Sequence, residues 1–157
     1  MNELEKKAFI FGTIFTLSNK LQVLGDEFDH SITIKQWLFL VGVSKFRDPP
    51  TISEVANYIG YSRQNAKRIA MALQKMDYVN IIKDKTDARA LRIATTTKCR
   101  AYFETRYQQE IEFLEKIFAG FDPQLTHNVF RGLIRLEQNI REMMKQDEDK
   151  SATEETV

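Results

Sequence analysis

Cysteine is almost missing from this chain: Cys99 stands alone among 157 residues. It has no internal partner, so there is no disulfide framework, and a reducing, cytoplasmic setting is expected. Three prolines and six glycines leave little room for long loops or linkers. One domain around one substantial core is expected at this length. Two histidines, His30 and His127, lie far apart in sequence. There is no glycine-rich phosphate loop, no Gly-x-Ser-x-Gly and no His-Glu-x-x-His. Nucleotide, serine-hydrolase and zinc-protease chemistry therefore have no sequence basis, and the reading is of a non-enzyme without cofactor or metal.

Long apolar runs are missing too. Lys6 and Lys7 ahead of AFIFGTIFTL imitate a signal peptide, but Glu3 and Glu5 sit in the would-be basic region and no small-residue cleavage site follows. The run is about half of what a bilayer needs. It continues through Leu21, Leu24 and Phe28 at helical spacing, which predicts a buried helix rather than a membrane segment.

What the chain does have is an uneven charge. Overall it carries +1, but residues 31–100 hold 13 Lys and Arg against 5 Asp and Glu, a net +8. The remaining residues hold 10 against 17, a net −7. A basic middle between acidic ends points to a polyanion contact in the middle.

Local signals place the elements. Phe11, Ile14, Phe15, Leu21, Leu24 and Phe28 form one stripe of a first helix, ended by polar residues 26–31. Thr33 with Gln36 is a capping box that opens a second helix through Trp37, Leu38 and Leu40 to about Ser44. Arg47-Asp48-Pro49-Pro50 stops it. Thr51 with Glu54 opens a short third helix burying Val55, Ala56 and Ile59, and Gly60 closes it. Ser62 caps a fourth, whose inner stripe is Ala66, Ile69, Ala70, Leu73 and Met76. The period then drops to two: Val79 and Ile81, then Leu91 and Ile93, predict a hairpin with the charged tip KDKTDAR. A fifth helix carries Tyr107, Ile111, Leu114 and Phe118 to Gly120. Asp122-Pro123 starts a last one through Leu125, Val129, Leu133, Leu136, Ile140 and Met143. Residues 147–157, acidic and poor in large apolar side chains, predict a disordered tail.

Two short helices across the turn YIGYS, the second basic outside, make a helix-turn-helix pattern. A helix fits the DNA major groove, and Ser62, Arg63, Gln64 and Asn65 lie in its first turn. Arg matches guanine bidentately, and Gln and Asn match adenine. Lys67 and Arg68, one turn on, suit phosphate or groove contacts. A hairpin directly after such a helix is a wing. Its tip, with Lys85, Asp87 and Arg89, falls where the narrow, electronegative minor groove would pass, and an extended arginine fits there. Asp87 would be repelled by DNA; its expected role is to accept a hydrogen bond from Arg89 and order the arm.

The order of helix, QWLFL helix, TISEVANYIGYS, basic helix, Asp87-x-Arg89 hairpin and two long helices resembles the MarR-type winged helix-turn-helix regulators over about residues 4–145. The resemblance implies a mainly α fold: a three-helix core plus a two-stranded β-wing, with N- and C-terminal helices forming a dimerisation region. It assigns Arg89 to the minor groove, Asp87 as its organiser, and Ser62 to Arg68 as the major-groove reader. The chain departs from the family pattern at Asp77-Tyr78, where a glycine is usual, at Thr95-Thr96-Thr97-Lys98-Cys99, and in its acidic tail. The expected division is 1–30 and 97–146 for dimerisation, 31–96 for the DNA-binding lobe and 147–157 for the tail.

Dimerisation has independent support. Phe9, Phe11, Phe15, Ile111, Leu114, Phe118, Leu136 and Ile140 have too little partner surface in one chain, and a two-fold axis would pair them. Two recognition helices one DNA turn apart then predict a pseudo-palindromic operator. Phe15, Trp37 and Phe39 are candidate lining for a small aromatic or anionic effector, against the plainer reading of core. The GDEFDH stretch, with Asp26, Glu27, Asp29 and His30, is read as the polar end of a helix rather than a zinc site. Cys99, between Lys98 and Arg100, is a weaker candidate for a redox thiol. The expected function is a homodimeric, sequence-specific regulator of transcription, most simply a repressor. The competing reading is a winged-helix module that binds protein instead.

Overall fold

The computed structural model describes residues 1–84, 87 and 90–154, from 147 onward by backbone alone. Among these residues the order is α1 (Glu3–Phe28), α2 (Ile34–Ser44), α3 (Ile52–Ile59), α4 (Arg63–Lys75), β1 (Val79–Lys83), β2 (Leu91–Thr95), α5 (Thr97–Ile117) and α6 (Pro123–Glu154). The mainly α winged-helix architecture expected from the sequence is present.

Caps set most of the boundaries. Thr33 Oγ1 accepts the Gln36 N–H at 3.3 Å, and Gln36 Oε1 accepts the Thr33 N–H at 2.8 Å. Thr51 and Glu54 repeat this at 3.1 and 2.6 Å. Each box pairs two backbone groups that a helix start would leave bare. Gly60 ends α3 at φ 73°, a conformation that costs glycine nothing. Asp77, between α4 and β1, takes φ 64° without being glycine.

The core belongs to the middle of the chain. Phe39 and Leu40 of α2, Val55 of α3, Ala66, Ala70 and Leu73 of α4, Val79 of β1 and Ile93 of β2 are fully buried. Removing each large side chain from water contributes about 1.5–3 kcal/mol. Two glycines let helices meet closely. A Cβ on Gly42 would stand 2.7 Å from Ile59 Cγ2, and one on Gly25 would stand 2.6 Å from Ile34 Cδ1. β1 and β2 pair antiparallel from Val79 opposite Thr95 to Lys83 opposite Leu91. Their free edge is met by Thr51, which bridges to Arg92, and the Ile93 N–H donates to the Pro50 carbonyl at 2.8 Å. The wing is thus anchored to the residues that open α3.

By compactness the chain divides into residues 1–106 and 107–157. In the second unit α5 ends at a turn with Gly120 at φ 83°, and Asp122 Oδ1 accepts the Leu125 N–H at 2.7 Å to start α6. The α6 backbone is helical to Glu154, and residues 155–157 of the expected tail lie outside the described residues. Glu142 to Lys150 contains good helix formers and no glycine or proline, which suits a helical backbone.

The first helix departs from expectation. Its apolar stripe predicts burial, yet Phe9, Phe11 and Phe15 are exposed and Gly25 is its only buried residue. Along α6 Leu136 is half-buried, while Leu125, Val129, Leu133 and Ile140 are exposed. Among the described residues no helix is long and apolar enough to cross a membrane.

Candidate nucleic-acid interface

The turn between α3 and α4 is short because both ends are capped at once. The Gly60 N–H and the Tyr61 N–H both donate to the Ala56 carbonyl, and Ser62 Oγ accepts the Asn65 N–H at 3.2 Å. This fixes the phase of α4. Ala66, Ile69, Ala70 and Leu73 turn inward, which leaves Ser62, Arg63, Gln64, Lys67 and Arg68 exposed outward. Asn65 is half-buried, and its Oδ1 accepts a hydrogen bond from Arg68 Nη2 at 3.0 Å. Asn65 therefore first serves to hold Arg68, and base reading by it would require exchanging that bond.

The wing base shares a groove with this face. Arg63, Gln64 and Lys67 of α4, Ser53 of α3, and Asp87 and Leu91 of the hairpin line one open cavity of about 660 Å³. Helix and hairpin therefore meet on one side of the lobe. Of the tip residues expected to touch DNA, Lys85 and Arg89 lie outside the described residues, and so does the expected bond between Arg89 and Asp87.

In sequence Asp84 belongs to a solvated, charged tip. In the structure it is 9% exposed. Its carboxylate pairs with Arg92 and accepts the Asp87 N–H at 2.8 Å. Arg92 also donates through Nη1 to the Pro49 carbonyl at 2.7 Å. Hydrogen bonds from Thr51 hold the nearby Glu54 carboxyl below its usual range, and the Arg92 charge adds to that effect. No sequence signal marks Asp84 and Arg92 as a paired site, because Pro49 is remote in sequence.

The remaining candidates separate. Phe39 is 0% exposed in the core, so it cannot line an open effector cleft. Trp37 is half-buried against that core, and Phe15 is 59% exposed, edge-on to Phe11. Cys99 is buried, and burial pushes its thiol up despite the Arg100 charge, so the activation expected from its basic neighbours does not occur. In the GDEFDH stretch both named aspartates have structural roles. Asp26 accepts the Ile34 N–H at 2.6 Å. Asp29, 7% exposed, accepts from the Tyr102 hydroxyl and the Ser31 N–H and pairs with Arg106 at 3.1 Å. Arg106 in turn lies over the Phe28 and Tyr102 rings, at 4.9 and 5.0 Å. Burial opposes the Asp29 charge, but those hydrogen bonds and Arg106 outweigh it and hold the carboxyl below its usual value.

No family model matches the chain, and no curated protein matches it. Solved structures do. A MarR regulator from Methanosarcina mazei Go1 superposes with a TM-score of 0.77 at 21% identity, over 87% of this chain and 99% of that one. The chain has the winged-helix fold of MarR-type regulators. A MarR/EmrR-family regulator from Acinetobacter sp. ADP1 gives a TM-score of 0.75 at 16% identity, over 87% and 97% of the two chains. BpsR of Bordetella bronchiseptica, whose DNA binding is regulated by 6-hydroxynicotinic acid, gives 0.70 at 14% identity, over 82% and 98%. The Methanosarcina and Acinetobacter proteins are transcriptional regulators by name.

Proposed function

We propose that this chain is a homodimeric, sequence-specific DNA-binding regulator of transcription in the cytoplasm, and that it represses by occluding a pseudo-palindromic operator. One observation carries the reading: the exposed cationic and amide side chains of α4 and the wing base open onto the same groove. A helix seated in the major groove through that face has Arg63 and Gln64 at its leading end, suited to base edges. Lys67 and Arg68 follow, suited to phosphates. The wing tip, with Lys85 and Arg89, is assigned to the adjacent minor groove.

Dimerisation completes the reading. α1 and α6 carry apolar faces that one chain leaves in water, and a second copy is the economical cover. A small aromatic or anionic effector would act by changing the spacing of the two lobes, since only one spacing matches the DNA repeat. Of the three aromatics that could line its site, Phe15 and Trp37 keep open surface and Phe39 does not.

The test is titration of labelled duplex from the protein's own upstream region, followed by anisotropy. The parent should bind one duplex per dimer. Arg63→Ala, Lys67→Ala and Arg89→Ala should each lose roughly 5- to 100-fold in affinity, with helical content unchanged. Parent-like affinity in all three would reject this face as the DNA surface. A failure of the parent to bind any duplex at low salt would favour a protein-interaction module.

A further inference from the structure

We propose that Arg92 and Asp84 are positioning residues that latch the wing to the helix-turn-helix and thereby aim it at the minor groove. The proposal rests on the DNA-binding reading above and adds to it a pair that contacts no DNA itself.

A two-stranded hairpin is marginal in water by itself. β1 and β2 have only five residue pairs, Val79–Thr95 through Lys83–Leu91. The backbone ties them to the lobe near the middle of β2, through Thr51 to Arg92 and Pro50 to Ile93. That bridge attaches β2 rather than the far end of β1. The Arg92 side chain reaches that end. Its Nε meets the Asp84 carboxylate just beyond β1, and its Nη1 reaches the Pro49 carbonyl, 2.7 Å away in the segment before α3. The other Asp84 oxygen accepts the Asp87 N–H at 2.8 Å, and the Asp84 N–H donates to the Ala90 carbonyl at 3.0 Å. A continuous path of hydrogen bonds therefore runs from Pro49 through Arg92 and Asp84 to Asp87.

Arginine suits this task for a physical reason. Its donors are fixed in one plane, so gripping two acceptors at once sets the angle between them. A lysine offers a single point charge and holds one acceptor well. The Asp84 side chain is 6% exposed and that of Arg92 35% exposed, so the pair is sheltered on the carboxylate side and firmer than an open surface ion pair. Asp87 and Leu91, on the wing side of the shared groove, lie between the two latch residues in sequence. A wing freed at this base would still leave α4 seated on its own core.

Methylation protection of the operator by dimethyl sulfate separates the two grooves, because the reagent modifies guanine N7 in the major groove and adenine N3 in the minor groove. The full-length parent should protect both. Arg92→Met and Asp84→Asn should keep guanine protection at saturating protein, lose adenine protection beside each half-site, and bind roughly tenfold more weakly. Arg92→Lys should fall between. Thermal melts of the free variants guard against unfolding, and Asp84→Asn keeps nearly the same volume if Arg92→Met is too severe. Both protections falling together, or neither falling, in folded variants would overturn the latch. Guanine-only protection by the parent would overturn it as well. A parent that protects nothing would instead reject the DNA-binding reading on which it rests.

Discussion

The winged lobe and the terminal helices solve the burial problem in opposite ways. In the lobe, Phe39, Leu40, Val55, Leu73 and Ile93 all reach full burial within one chain. On α1 and α6, equally apolar residues such as Phe11, Phe15, Leu133 and Ile140 remain in water. The difference is not one of composition. It is whether the apolar stripe of an element meets a second stripe of the same chain. The lobe is complete alone and can present a rigid α4; under the proposed reading, the terminal helices are completed by a partner. Under that reading, one part would read a half-site while the other sets the distance between half-sites.

Breaking the terminal helices should have the largest effect. Ile140→Asp puts a charge on the α6 face. Sedimentation should show a dimer turning into a monomer, and operator affinity should fall on the order of 100-fold as the linked second half-site is lost. An unchanged dimer would remove α6 from the interface.

Within the unit that holds the lobe, Asp29→Asn comes next. It leaves Arg106 buried beside a neutral amide, at a cost of about 3 kcal/mol in chemical denaturation. The same carboxylate links stability to pH. Its folded pKa is depressed below the usual 3.8. Its contribution is therefore present in full above that value and is lost as pH falls through the lower, folded value. The variant should show a flatter acid limb than the parent between those two points.

Asp77→Gly should sharpen the comparison in the other direction. It relieves a left-handed non-glycine residue at φ 64° and should raise stability by roughly 0.5–1 kcal/mol. Operator affinity should not change, because Asp77 follows α4 at the end away from its first turn. The smallest effect concerns Cys99. Burial raises its thiol pKa, so a thiol reagent should label it slowly in the native protein and promptly in denaturant. Rapid native labelling would contradict the packing.

The parts legible in the sequence are those decided within one turn of chain. Thr33 with Gln36, Thr51 with Glu54, Gly60 and Ser62 each act on neighbours three or four residues away, and α2, α3 and α4 start and stop where those signals sit. The outward face of α4 follows from its inward stripe. Bonds that join distant segments are not legible in this way. Asp84 looks like any charge in a turn until Arg92, which also donates to the Pro49 carbonyl, pairs with it. Asp29 looks like a helix end until Tyr102, 73 residues on, donates to it. Cys99 misleads for the same reason: its basic neighbours are local and visible, whereas the core that buries it is not.

The central claim is that the cationic face of α4 and the wing contacts duplex DNA, and salt tests it most directly. Affinity of the parent dimer for its operator should fall linearly on a log–log plot of binding constant against salt, with a slope near −0.9 for each phosphate neutralised. Lys67→Ala removes one such cation from each protomer, so the slope should become shallower by about one or two units per dimer. A slope near zero in the parent, or one that Lys67→Ala leaves untouched alongside unchanged affinity, would contradict the account.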